Sequence, residues 1–124
     1  MVIKPSTPGL AFELKNTAWS VSKGTASAAE VVIPSMHLGL PVTEIAESGF
    51  SSYGNMTSVT IPNSVTSIGY SAFYECTGLT SVTFESTGIN IDYGSFPGDL
   101  YEKYPAGGIG TYKRAIGGDT WTKQ

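Results

Sequence analysis

The chain has 124 residues, of which 14% are charged; it holds fifteen glycines and one cysteine and carries a net charge of −3 at pH 7. A single cysteine excludes an internal disulfide framework and a CxxC metal motif, and no run of about 18 apolar residues is present to form a membrane-spanning helix. Between Lys23 and Lys103 there is no Lys or Arg, only Glu30, Glu44, Glu47, Glu75, Glu85, Asp92, Asp99 and Glu102; this acidic field makes nucleic acid and anionic membranes poor partners, since both are held by clustered cations.

Residues 1–9, with Pro5 and Pro8, read as a tether ahead of a single domain over residues 10–124. No basic segment followed by an apolar one marks a secretion signal at Met1, so an extracellular location implies a leader that these residues do not include. From Leu10 to Leu14 the chain alternates in polarity, Lys15-Asn16-Thr17 turns it, and Trp19 to Val21 alternates again. This pattern predicts a β-hairpin within an N-terminal cap over residues 10–30.

A repeat then takes over. Val59-Thr-Ile61-Pro62 returns as Val82-Thr-Phe84-Glu85, an offset of 82 − 59 = 23. The same offset links Met56 to Leu79, Ile45 to Ile68 to Ile91, and Phe50 to Phe73 to Phe96. Small residues precede each Phe: Ser48-Gly49, Ser71-Ala72 and Gly94-Ser95. An earlier copy, Val31-Val32-Ile33-Pro34, stands 28 residues before Val59, and the five extra residues fall in a loop over Ser35 to Pro41. In each unit a short strand points Val59 and Ile61 inward and Thr60 outward. Pro62 ends the strand, and Val65 and Ile68 form a second apolar pair. Tyr70 to Cys76 reads as about two helical turns around Phe73. One unit cannot bury its own apolar side, but stacked units can. The fold expected is a β-rich α/β solenoid: a short right-handed array of about 23-residue units over residues 31–100, with N- and C-terminal β-hairpin caps. The second cap, residues 101–124, reads as one helical stretch from Asp99 to Tyr104, ended by Pro105. Strands at Gly110–Arg114 and Thr120–Lys123 follow, joined across Gly117-Gly118-Asp119.

The run Val59-Thr-Ile-Pro-Asn-Ser-Val-Thr-Ser-Ile-Gly-Tyr-Ser-Ala-Phe-Tyr-Glu-Cys-Thr-Gly-Leu79 resembles the repeat of the BspA-like bacterial surface-antigen leucine-rich repeats. The IP pair, the VTxIG run, the small residue before Phe, the Cys and the following Leu all occur in register. The resemblance covers residues 31–100. In the third unit Glu85 replaces Pro62, Gly88 replaces Val65 and Asp99 replaces Cys76, departures that mark the end of the array. The resemblance implies non-catalytic cell-surface or secreted proteins that adhere to host matrix proteins or to other cells, with no cofactor. It also implies that Cys76 faces the core.

Side chains able to carry chemistry are few. His37 is the single histidine and sits in the inserted loop, away in sequence from a carboxylate partner; zinc needs three or four close ligands. Cys76 has no neighbouring cation in sequence to stabilise a thiolate. Gly107-Gly108-Ile109-Gly110 lacks the lysine and the register of a phosphate loop. The acids are dispersed rather than gathered as a calcium loop requires. The resemblance, with a Thr/Ser-rich and slightly apolar sheet, implies a polypeptide-binding surface on the outer side of the strands, at Glu30, Val32, Ser58, Thr60, Ser81 and Thr83, the side that is usually concave in such solenoids. A carbohydrate-binding or purely architectural surface module is the alternative. Tyr70, Tyr93, Tyr53 and Tyr74 mark either a tyrosine patch on the other side or rings that cover neighbouring coils.

Overall fold

A computed structural model describes residues 6–124; the first five residues of the expected tether lie outside the described residues. Its strands form two sheets on different sides of one core. A hairpin of β1 (Ala11–Lys15) and β2 (Ala18–Ser22) turns through Asn16 at φ 60, as expected. Next come β3 (Glu30–Val32), a short β4 (Met36–His37) and β5 (Leu40–Ile45). Two regular coils contribute β6 (Ser58–Ile61) with β7 (Ser67–Ile68), and β8 (Ser81–Phe84) with β9 (Asn90–Ile91). A helix, α1 (Leu100–Gly107), and a hairpin of β10 (Gly110–Lys113) and β11 (Thr122–Lys123) close the chain.

The Ser/Thr sheet has the order β11-β10-β8-β6-β3, and the hairpin sheet the order β1-β2-β5-β7-β9, with β4 attached to β5. Within the coils both sheets are parallel and the 23-residue offset is the register: Val59 pairs with Val82 and Ile68 with Ile91. Antiparallel strands enter at the caps, where β1 pairs with β2 and β10 with β8. The second apolar pair of each unit thus belongs to a strand of its own. A two-residue strand such as Ser67–Ile68 is too short to show a period of 2, which is why its sheet is invisible in sequence.

The third side differs from expectation. Residues 70–76 form turns, not helix. Ser48, Ser71 and Gly94 occupy the left-handed region at φ 54, 55 and 77, and so do Ser52, Glu75 and Gly98 at 60, 57 and 69. Two left-handed residues four apart in every coil cannot lie within a right-handed helix. The backbone instead bonds from coil to coil: the Ser48, Phe50 and Ser52 N–H groups donate to the Tyr70, Ala72 and Tyr74 carbonyls at 2.7–2.9 Å. Small residues before each Phe follow from this geometry. A Cβ on Gly49 would stand 2.9 Å from the Ala46 carbonyl oxygen and 3.3 Å from Ser22 Cβ.

The core runs the length of the array. Phe50 and Phe73 stack at 5.3 Å and Phe73 and Phe96 at 4.7 Å, all three buried. Tyr53 lies parallel to Phe50 at the N-terminal end, and Phe84 meets Phe96 edge-on at the other. The ladder Tyr53–Cys76–Asp99, also 23 apart, changes character at its ends. The Tyr53 hydroxyl donates to Ala28 O at 2.7 Å, and Asp99 Oδ1 accepts from the Trp121 N–H at 2.8 Å. The departure at Asp99 is therefore a cap contact. It also holds the Asp99 carboxyl below the usual carboxylate range, chiefly through that N–H.

Each end of the Ser/Thr sheet is covered. Thr7, within the stretch read as a tether, donates its N–H to Val32 O at 3.0 Å, and its Oγ1 accepts from Val32 N–H at 2.7 Å, which satisfies the free edge of β3. At the far end Arg114 is buried. It donates from Nε to Leu79 O at 2.7 Å and from its terminal nitrogens to Gly118 O and Cys76 O at 2.7 and 3.2 Å. Trp121 lies under the guanidinium at 5.3 Å. The helix α1 runs three residues past its expected end, through Pro105. Proline there removes one N–H, the donor to Tyr101 O, and the short helix holds because Leu100 and Tyr104 are buried.

The inserted loop over Ser35 to Pro41 is a second hairpin. His37 pairs with Leu40 across Leu38 and Gly39, both at positive φ (47 and 83), the signature of a turn that prefers Asn-Gly. The loop is pinned at its base: Phe12 stacks on His37 at 3.8 Å, and Trp19 Nε1 donates to His37 O at 2.7 Å. Leu38 is 81% exposed, so its side chain offsets none of the left-handed strain. Leu38→Asn is expected to raise the stability of the domain by about 1 kcal/mol. A urea midpoint unchanged or lowered in that variant would show that the leucine side chain stabilises the turn after all.

Candidate functional site

The six residues expected to form a binding surface lie on the outer face of the Ser/Thr sheet. Glu30, Ser58 and Ser81 stand side by side across β3, β6 and β8, as do Val32, Thr60 and Thr83. Glu30 is exposed and the other five are half-buried, while Val31, Val59, Ile61, Val82 and Phe84 between and beside them are buried. The alternation follows from the pleat. The C-terminal cap widens this face. Lys113 extends the first row beside Ser81, and Thr111 extends the second beside Thr83. Thr83 and Thr111 hydroxyls lie 2.8 Å apart as a hydrogen-bonded pair. Sequence reading missed both residues because β10 joins the sheet antiparallel, out of the 23-residue period.

The face is a small-residue platform of hydroxyls and methyls, with Glu30 at one end of its first row and Lys113 towards the other. It offers hydrogen-bond donors and acceptors on a backbone locked by ladders, and no grouping of a nucleophile with a base.

The other chemically able side chains are engaged elsewhere. Cys76 is buried, its Sγ 3.0 Å from the Phe50 carbonyl oxygen. Burial pushes its thiol up to about 11, which keeps it protonated at neutral pH and so a poor nucleophile. His37 faces Phe12 and Trp19 rather than a carboxylate. Gly107 and Gly108 carry the C-terminal end of α1 into β10, and the Gly107 carbonyl accepts from Lys123 Nζ. Among the described residues no three His, Cys, Asp or Glu side chains lie together as metal ligands. No helix among them is long and apolar enough to cross a membrane.

The tyrosines divide. Tyr53, read as part of a surface patch, is instead buried in the core, whereas Tyr70, Tyr74 and Tyr93 are exposed. Tyr101, which carried no signal in sequence, is also exposed; its ring centre is 5.7 Å from that of Tyr93.

Residues 30–102 match the family described as BspA type leucine rich repeat region (6 copies). Three solved structures share the fold. A leucine-rich repeat protein of Bacteroides capillosus is 28% identical, with a TM-score of 0.65, over 76% of this chain and 74% of that one. A leucine rich cell surface protein of Faecalibacterium prausnitzii is 32% identical, with a TM-score of 0.57, over 68% of this chain but only 24% of that one. The T. pallidum leucine rich repeat protein is 24% identical, with a TM-score of 0.61, and is a likeness of fold alone. It is matched over 78% of this chain and 56% of its own, so this chain spans little more than half of that relative. No curated protein matches the sequence.

Proposed function

Because the chain belongs to the BspA-type leucine-rich repeat family, we propose that it is a non-catalytic, adhesion-type interaction module of a bacterial cell surface or secreted protein. It binds a polypeptide partner on the outer face of the Ser/Thr sheet. The observation that carries this reading is the register of that face. Glu30, Ser58 and Ser81 in one row, and Val32, Thr60 and Thr83 in the other, form a platform whose backbone is fixed before any partner arrives, and a preformed surface loses less entropy on binding. The platform carries no row of aromatic rings on which a sugar would stack, which favours a polypeptide over the carbohydrate reading. Location at the cell surface is supported by the F. prausnitzii relative, described as a cell surface protein.

The test is a binding screen of the purified chain against extracellular-matrix proteins and a glycan panel. It is followed by the double substitution Ser58→Arg and Thr60→Arg, which leaves the Thr83–Thr111 bond in place. The expected result is retention on at least one matrix protein and a loss of affinity of about tenfold or more in the variant, the effect of removing a contact worth about 1.4 kcal/mol, with unchanged circular dichroism. Unaltered affinity in a folded variant would remove the binding site from this face, and retention on glycans alone would replace the polypeptide partner.

A further inference from the structure

The exposed tyrosines form a line that the proposed sheet site does not use. Positions 47, 70 and 93 are equivalent in successive coils and hold Glu47, Tyr70 and Tyr93. The coils are bonded at this place, with the Ser48 N–H donating to Tyr70 O at 2.9 Å. The Tyr70 ring leans towards the next coil: its Cε1 lies 3.6 Å from where a Cβ on Gly94 would stand. From Tyr93 the line continues to Tyr101 on α1, ring centres 5.7 Å apart. Tyr70, Tyr93 and Tyr101 are 53%, 75% and 36% exposed. Adjacent coils are about 4.8 Å apart, so the three rings span about 10 Å, the reach of about three extended residues.

Two contrasts separate this line from ordinary surface aromatics. The buried tyrosines at 53, 104 and 112 each donate a hydroxyl to a backbone carbonyl. The hydroxyls of Tyr70, Tyr93 and Tyr101 make no hydrogen bond among the described residues, so the fold does not use them. The second contrast is charge. Carboxylates flank the line at Glu47, Asp92 and Glu102. The nearest cation in sequence, Lys103, is held by Asp99 at 3.4 Å and by the Trp121 carbonyl at 2.9 Å.

We propose that Tyr70, Tyr93 and Tyr101 form a second binding surface, one that takes an arginine-rich segment of a polypeptide. Guanidinium planes stack on the exposed ring faces, and the flanking carboxylates accept their N–H groups. A glycan fits less well. Tyr93 and Tyr101 stand at 82° to each other, so they do not form the flat platform on which a sugar ring lies, and a neutral sugar draws nothing from the carboxylates. This surface is separate from the outer face of the Ser/Thr sheet, so either can fail alone.

The experiment titrates the intact chain with a capped (Arg-Gly)4 peptide at low and high salt. The comparisons are (Lys-Gly)4, (Gln-Gly)4 and a cello-oligosaccharide, with amide NMR shifts as the readout. The arginine peptide is expected to bind several-fold more tightly than the lysine peptide, because only a planar cation stacks. Its shifts are expected to centre on residues 47–48, 70–71 and 92–102. Tyr70→Ser with Tyr93→Ser should weaken it at least fivefold while the amide spectrum elsewhere stays folded, and Glu47→Gln should weaken it with a smaller salt dependence. Equal binding of arginine and lysine peptides, insensitive to the tyrosine substitutions, would reduce the effect to the general acidic field and overturn the proposal. So would the absence of arginine-peptide binding, or preference for the oligosaccharide.

Discussion

Phe73→Ala is expected to lower the unfolding free energy by about 3–5 kcal/mol, the range for truncating a buried aromatic. Phe73 is the middle of the stack, with Phe50 at 5.3 Å on one side and Phe96 at 4.7 Å on the other. Its loss leaves a gap that neither neighbour can fill. Both are held by their own coil's backbone, and those coils are bonded through the Ala72 carbonyl to Phe50 N–H and through the Phe73 N–H to Ser95 O. A domain of this size has about 5–15 kcal/mol in all, so the variant should be marginal at room temperature. Urea denaturation followed by circular dichroism measures it. A loss below about 1 kcal/mol would mean that the stack is not where the stability of the array resides.

The second large effect belongs to Arg114, at the opposite end of the logic. The carbonyls of Leu79 and Cys76 face the C-terminal cap, which has to supply donors to them. Arg114 supplies them from a side chain, and burial lowers its pKa from the usual value without discharging it. Arg114→Met keeps most of the stem and removes every donor, which leaves the Leu79 carbonyl without a partner among the described residues, while the Cys76 carbonyl keeps the Leu79 N–H at 3.1 Å. A cost of about 3 kcal/mol follows from charged hydrogen bonds of this kind. Hydrogen exchange adds a second readout. Protection should fall first in β8 and β10, because the Arg114 N–H itself donates to Thr80 O and fixes β10 along β8. A variant as stable as the parent, with exchange unchanged, would show that solvent satisfies those carbonyls equally well.

Glutamine or lysine at position 114 would carry donors but not the fork, and this shows why the cap was hard to read. Nothing in the order Tyr-Lys-Arg-Ala distinguishes Arg114 from a surface cation. Its role depends on carbonyls 35 and 38 residues away. Trp121 was missed for the same reason: its indole donates to the Pro97 carbonyl, 24 residues away.

What the sequence determined by itself is the repeat. Where the same side-chain type recurs every 23 residues, each copy meets its own kind in the next coil, so Phe50, Phe73 and Phe96, or Val59 and Val82, could be stacked by counting. Cys76 is placed in the core by the resemblance of its repeat and not by its ladder, which runs from Tyr53 to Asp99. Tertiary structure alone decided three other things. It set the turn conformation at Ser48, Ser71 and Gly94, because serines carry no mark of a left-handed backbone and inter-coil hydrogen bonds impose it. It divided the strands between two sheets, because two-residue strands are too short to show a period. And it sorted the tyrosines, burying Tyr53 against Phe50 while leaving Tyr70 and Tyr93 exposed, because burial is fixed by what is placed alongside: position 53 faces the cap at Ala28, whereas Tyr93 meets only the exposed ring of Tyr101.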